Sequence, residues 1–173
     1  MATIVLIGTS HNYQARSKKV PQGSYDQFES VLLATCAKYA IAAIAEEFNE
    51  DALKQRGVSS SVISELCARE GLKHQFSDPG ETERAELGVE DCQSLEAVGW
   101  LNREPAPITE SKVRASHEKR ERFWLTKIES LDVWPLLFVC GADHVDYFLA
   151  LLQRSGHNVT VEFSDWEADQ SDR

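Results

Sequence analysis

Near its start the chain carries an apolar, β-branched run, 3–7 (TIVLI), that stops at Gly8. A run this short with no alternation predicts a strand covered on both faces, and therefore a parallel one. Three further runs predict strands at 40–45 (AIAAIA, ending at Glu46-Glu47), 72–76 (closed by Asp78-Pro79-Gly80) and 135–140 (PLLFVC, stopping at Gly141). Residues 158–163 (NVTVEF) alternate as an edge strand does. Helical patterns lie between them. Ser24 and Gln27 have the spacing of a capping box ahead of Phe28, Val31, Leu32 and Tyr39. Ser59-Ser60-Ser61 precedes Val62, Ile63, Leu66 and Cys67, and that pattern ends at Gly71, where a terminal glycine belongs. A long helix is predicted over 108–131 and another over 144–154. Residues 9–23 read as a long polar loop, and 79–107 as an irregular acidic stretch with a short helix near 92–98. Strands alternating with helices predict an α/β fold, a three-layer sandwich around a mostly parallel central sheet.

Length adds that 173 residues suit one domain, expected over 1–166 with a polar, frayed tail at 167–173. Apolar residues at 42% and charged residues at 27% give a globular composition. The net charge of −10 argues against binding duplex nucleic acid, whose phosphates most of the surface would repel. The first residues, MATIVLIGTSHN, lack the basic start and apolar run of a secretory signal. No stretch approaches the roughly 18 apolar residues of a membrane helix. Cys36, Cys67, Cys92 and Cys140 are widely spaced and form no Cys-x-x-Cys pair, so a thiolate zinc site is not expected. A cytoplasmic protein without membrane association is the expectation.

In an open parallel sheet, ligands bind beyond the carboxyl ends of the strands. Reading that position off each predicted strand yields Gly8-Thr9-Ser10-His11, Glu46-Glu47, Asp78, and Gly141-Ala142-Asp143-His144. Two histidines at matching offsets with carboxylates between them suit a divalent ion or general acid–base work. His11, Glu46, Glu47 and His144 are the candidate metal ligands. Which glutamate faces the site stays open, because successive strand residues point to opposite faces. On the long helix, Val113, His117, Arg120, Trp124, Ile128 and Leu131 share one face at steps of three and four. Arg120 on that inward stripe requires an anionic partner, because an unpaired buried charge costs several kcal/mol. Arg114, Lys119 and Arg122 are assigned to its solvated face. Asn12, Tyr13 and Arg16 lie near His11 in the basic loop with Lys18 and Lys19, and with Asp78 they are candidates for contacting substrate.

The series Gly8-Thr9-Ser10-His11, Glu46-Glu47, Arg120-Glu121-Arg122-Phe123-Trp124 and Gly141-Ala142-Asp143-His144 resembles the TraB/TIKI superfamily, which includes erythromycin esterase-like and ChaN-like proteins. The resemblance spans residues 3–163 and implies an α/β fold with the four elements meeting in one pocket. It implies His11, Glu46 or Glu47, Arg120 and His144 as the catalytic set. Members of the group include metal-dependent peptidases, esterases and haem binders. This chain is shorter than most members and has no evident membrane anchor. The function expected is a hydrolase of a small-molecule or anionic substrate, with or without a divalent ion. The alternative is a non-enzymatic domain that binds or senses a small anion or nucleotide in the same pocket.

Overall fold

The computed structural model describes residues 2–17, 19–21 and 23–169. Five strands, β1 (Thr3–Thr9), β2 (Ala43–Glu46), β3 (Lys73–Phe76), β4 (Leu136–Gly141) and β5 (Asn158–Trp166), form one sheet in the order β3-β2-β4-β1-β5. Every pairing is parallel. The helices are α1 (His11–Gln14), α2 (Gly23–Tyr39), α3 (Glu50–Gln55), α4 (Val62–Glu70), α5 (Glu81–Leu87), α6 (Cys92–Leu101), α7 (Ala106–Leu131) and α8 (Val145–Arg154). A 3-10 turn, Ala142–His144, joins β4 to α8.

The continuous apolar runs of β1 and β4 follow from cover on both faces. Val5, Ile7, Ile44, Leu137 and Val139 pack under Phe28 and Leu32 of α2 and Val62, Ile63 and Leu66 of α4. Ile4, Leu6, Ala45, Phe138 and Cys140 pack on the other face under Trp124 and Ile128 of α7 and Phe148 and Leu152 of α8. The result is the three-layer α/β sandwich expected, with a sheet that is wholly parallel. Each fully buried Phe or Leu contributes about 2 kcal/mol of hydrophobic stabilisation, which fixes how the two helix layers sit. Register then brings the carboxyl ends together: Thr9 pairs with Gly141, and Glu46 with Val139.

Four expectations change. Residues 79–107 contain two helices: α6 takes in the short helix expected near 92–98, and α5 stands where irregular chain was expected. α5 buries no residue and α6 buries only Leu95 and Gly99, so neither shows an apolar stripe. Their ends are set by caps instead. The Gly80 N–H donates to Glu83, Gly88 adopts φ 62°, and Asp91 accepts from the Ser94 N–H. The loop at 9–23 holds α1, whose N-cap Ser10 accepts from the Asn12 N–H. Ser24 lies inside the first turn of α2, which starts at Gly23, and so does not cap it. At the C-terminus, residues 167–169 are tied down rather than frayed. The Ala168 N–H donates to the Tyr13 hydroxyl and the Asp169 N–H to Gln27. The rest of the expected tail, 170–173, and Lys18 lie outside the described residues. Among the described residues, no helix is long and apolar enough to cross a membrane.

Candidate functional site

The two Gly-x-x-His motifs end adjacent strands; close packing requires the first glycine, and the second sits in tight contact with the site. A Cβ on Gly8 would lie 2.0 Å from the Ser164 carbonyl oxygen of β5 and 2.5 Å from Val145 Cγ2. On Gly141 it would lie 3.3 Å from His11 Nε2 and 3.4 Å from Glu47 Oε2. The first glycine lets β5 and the start of α8 approach β1. The second leaves room for the imidazole and the carboxylate over the end of β4.

Glu47 is the hub. It follows the last residue of β2, and its side chain is inaccessible to solvent. Oε2 accepts from the Gly141 N–H at 2.7 Å, and Oε1 accepts from Arg120 at 2.5 Å. His11 Nε2 and His144 Nε2 each lie 3.5 Å from the same Oε1. Each imidazole is fixed from behind. His11 Nδ1–H donates to Gln14 Oε1 at 2.9 Å, and His144 Nδ1–H donates to Glu121 Oε1 at 2.9 Å. Burial alone would favour protonated Glu47, but the charges of His11 and Arg120 outweigh it and hold the carboxyl well below its ordinary range. Burial likewise opposes charge on His11, yet Glu47 prevails and raises the imidazole from 6.5 to about 9. His11 is therefore protonated at neutral pH.

Glu46 points the other way. Side chains alternate along a strand, which places Glu46 on the α2/α4 side. There Oε2 accepts from Gln14 Nε2 at 2.9 Å, and Oε1 accepts from Ser61 and from His74 Nε2–H, the latter at 2.8 Å. It does not line the cleft. Gln14, buried between the two glutamates' environments, links Glu46 to His11.

Arg120 reaches in from α7 and finds two partners. Besides Glu47, it donates through Nε to Asp78 Oδ1 at 2.8 Å. Asp78 also accepts from Trp124 Nε1–H at 3.0 Å, Arg84 at 2.6 Å and Asn49 at 3.3 Å. Its carboxylate is thus occupied by the protein, which makes it a support for Arg120 and Arg84. Arg120 is held even more firmly charged than a free guanidinium, since Glu47 and Asp78 overcome its burial. Glu121, beside Arg120 in sequence, pairs with both His144 and Arg114. Arg114 therefore turns inward instead of joining the solvated face, and stacks 3.9 Å over Tyr147.

These groups line one cleft of about 880 Å³, which includes His11, Asn12, Glu47, Asp78, Arg120 and His144. The lining also contains Arg56, Arg84, Cys92 and His117, and the acidic Glu90, Asp91, Asp143 and Asp165. Tyr13 and Arg16 are not among the lining residues. The Tyr13 ring packs 4.9 Å from Trp166, and Arg16 pairs with Glu65 at 2.8 Å and Glu29 at 3.3 Å. Four of the five candidate catalytic residues, His11, Glu47, Arg120 and His144, thus come together, and Glu46 stands behind them. Arg84 carried no signal in the sequence, because its helix buries nothing. Glu121 sits within the Arg120 motif, and its pairing with His144 depends on a strand end 23 residues away.

Among the described residues, no group of three or more His, Cys, Asp or Glu side chains is arranged to hold a metal ion. Glu47 Oε1 is taken by Arg120, and the Asp78 carboxylate by Arg120 and Arg84. As arranged, these residues do not fit a divalent ion unless Arg120 releases Glu47. Compared with protein families, curated proteins and solved structures, the chain matches none.

Proposed function

We propose that the chain is a hydrolase of a small substrate carrying an anionic group, acting on an ester or phosphoester bond. The observation that carries this reading is the placement of two imidazole Nε2 atoms 3.5 Å from one buried carboxylate oxygen, each with its Nδ1 fixed by a separate acceptor. That is how a protein pre-orients two imidazoles for different tasks. The resemblance to the TraB/TIKI group supports it with the same residues in the same order.

In the reaction, His144 Nε2 takes a proton from water while the water oxygen bonds to the carbonyl carbon or phosphorus. Glu121 holds the imidazole in place and balances the charge it gains. His11, protonated through Glu47, donates from Nε2–H to the oxygen on which negative charge develops. As the bond to the leaving oxygen breaks, that oxygen takes the proton from His144. Arg120 acts by fixing Glu47, and Arg56 and Arg84 supply positive charge to the substrate's anionic group. No step runs through a metal. An ion here would draw on His11, Glu47 and His144 and would have to displace Arg120.

Turnover of a panel of carboxylic and phosphate esters tests the proposal. His144→Gln and His11→Gln are expected to lose about 100-fold in kcat, the usual contribution of a positioned acid or base, with the fold intact by circular dichroism. Wild-type rates in both variants would overturn it. The cationic residues Arg56, Arg84 and His11 also favour a second reading, an anion-binding domain, which predicts saturable binding of such compounds by calorimetry without turnover.

A further inference from the structure

We infer that Cys92 and His117 form a second reactive centre in the same cleft, a thiol–imidazole pair built for acyl transfer. Cys92 is the first residue of α6, and its Sγ lies 2.9 Å from His117 Nε2 on α7. Both side chains line the cleft. Nothing in the hydrolytic scheme above uses either of them.

The pair is clamped from both sides in the chain. Ser116, immediately before His117, is buried and makes two hydrogen bonds to the backbone of Glu90. It accepts from the Glu90 N–H at 3.1 Å and donates to the Glu90 carbonyl at 2.7 Å. One turn on, Lys119 donates to the Gly88 carbonyl at 2.6 Å. Farther along, a Cβ on Gly99 would lie 2.4 Å from Thr109 Oγ1, so α6 and α7 approach as closely as a glycine permits. The segment 88–92 is therefore docked onto α7 at the turn that carries His117. The imidazole is braced by His144, whose ring centroid is 4.2 Å away.

The geometry suits general-base catalysis, because His117 Nε2 lies within hydrogen-bond distance of the thiol it deprotonates. Burial raises the Cys92 thiol, which therefore rests as S–H donating to that nitrogen. The N-terminal end of α6 favours negative charge on sulfur as it develops. When Sγ attacks an ester carbonyl carbon, the S–H proton passes to His117 Nε2, the C–S bond forms and the carbonyl oxygen takes the electron pair. Collapse breaks the bond to the alkoxy oxygen, which leaves with the proton from His117 and yields a thioester on Cys92. Water then attacks the thioester carbon, giving its proton to His117, and the carboxylic acid departs. Sulfur recovers the proton, so no oxidant or co-reactant is consumed.

The full chain is mixed with p-nitrophenyl acetate, p-nitrophenol release is followed, and peptide mass spectrometry locates the acetyl group. A burst is expected with acetylation on Cys92 alone, since Cys67 and Cys140 are buried and Cys36 does not line the cleft. Cys92→Ser abolishes the burst, and His117→Gln slows it by about 100-fold. His11→Gln, which removes the proposed acid of the hydrolytic site, retains the burst, so the two proposals fail separately. Acetylation at another residue, no acetyl on Cys92, or an unchanged burst in His117→Gln would overturn the inference.

Discussion

Glu47→Gln removes one charge and almost no volume, and the structure assigns two separate consequences to it. The first is stability. Arg120 loses its shorter ion pair and keeps only Asp78, while the new amide cannot satisfy both Arg120 and the Gly141 N–H as a carboxylate does. Breaking a buried pair of this kind costs about 3 kcal/mol. The second is the proton on His11. Its folded-state value is raised from 6.5 to about 9, so the stability it contributes is fully present below pH 6.5 and is lost as pH rises through about 9. At about 1.4 kcal/mol per pH unit this sets a ceiling of about 3 kcal/mol, which screening at a side chain 37% exposed lowers to about 1 kcal/mol. Urea unfolding of wild-type protein between pH 6.5 and 9.5 should therefore show declining stability, and in Glu47→Gln that component should vanish. An NMR titration of the His11 imidazole should show its midpoint falling from about 9 toward 6.5. A His11 midpoint unmoved by the substitution would refute the central role given to Glu47, whatever happened to stability.

Gly8→Ala forces a Cβ to within 2.0 Å of the Ser164 carbonyl oxygen, and overpacking of this kind should cost about 2 kcal/mol in urea unfolding; no loss would mean that β5 does not approach β1 so closely. Trp124→Phe keeps the aromatic packing against Phe138 and Phe148 but deletes the hydrogen bond to Asp78, a loss of about 1 kcal/mol that Asp78→Ala, which removes the acceptor, should largely mask in a double-mutant cycle. Chelation should leave ester turnover intact, because Arg120 already holds the carboxylate oxygen an ion would need; turnover that disappears with a chelator and returns with one divalent metal would reassign Glu47 as a ligand.

Residues were legible in the sequence where one local pressure acts. β1 and β4 are apolar throughout because helices cover both of their faces, and the glycine that ends each run marked the histidine three residues on. α5 was illegible because it buries nothing, so its boundaries rest on Glu83 and Gly88 rather than on a stripe. Nearness in sequence misled at Tyr13 and Arg16. Each helical residue turns the chain by about 100°, so α1 sends His11 into the cleft and Tyr13 toward Trp166. The choice between Glu46 and Glu47 turned on a single residue of register. Ile44 belongs to the α2/α4 core and Ala45 to the α7/α8 core, and the alternation carries Glu46 to the first side and Glu47 to the second. Composition cannot make that choice, since AIAAIA is apolar in either register. The strand ends named Glu47 and Asp78, and the inward stripe of the long helix demanded an anionic partner for Arg120; what the sequence hid is Arg84 and the pairing that links all four from separate elements or turns. That pairing is required because a buried guanidinium and a buried carboxylate are tolerable together and costly apart.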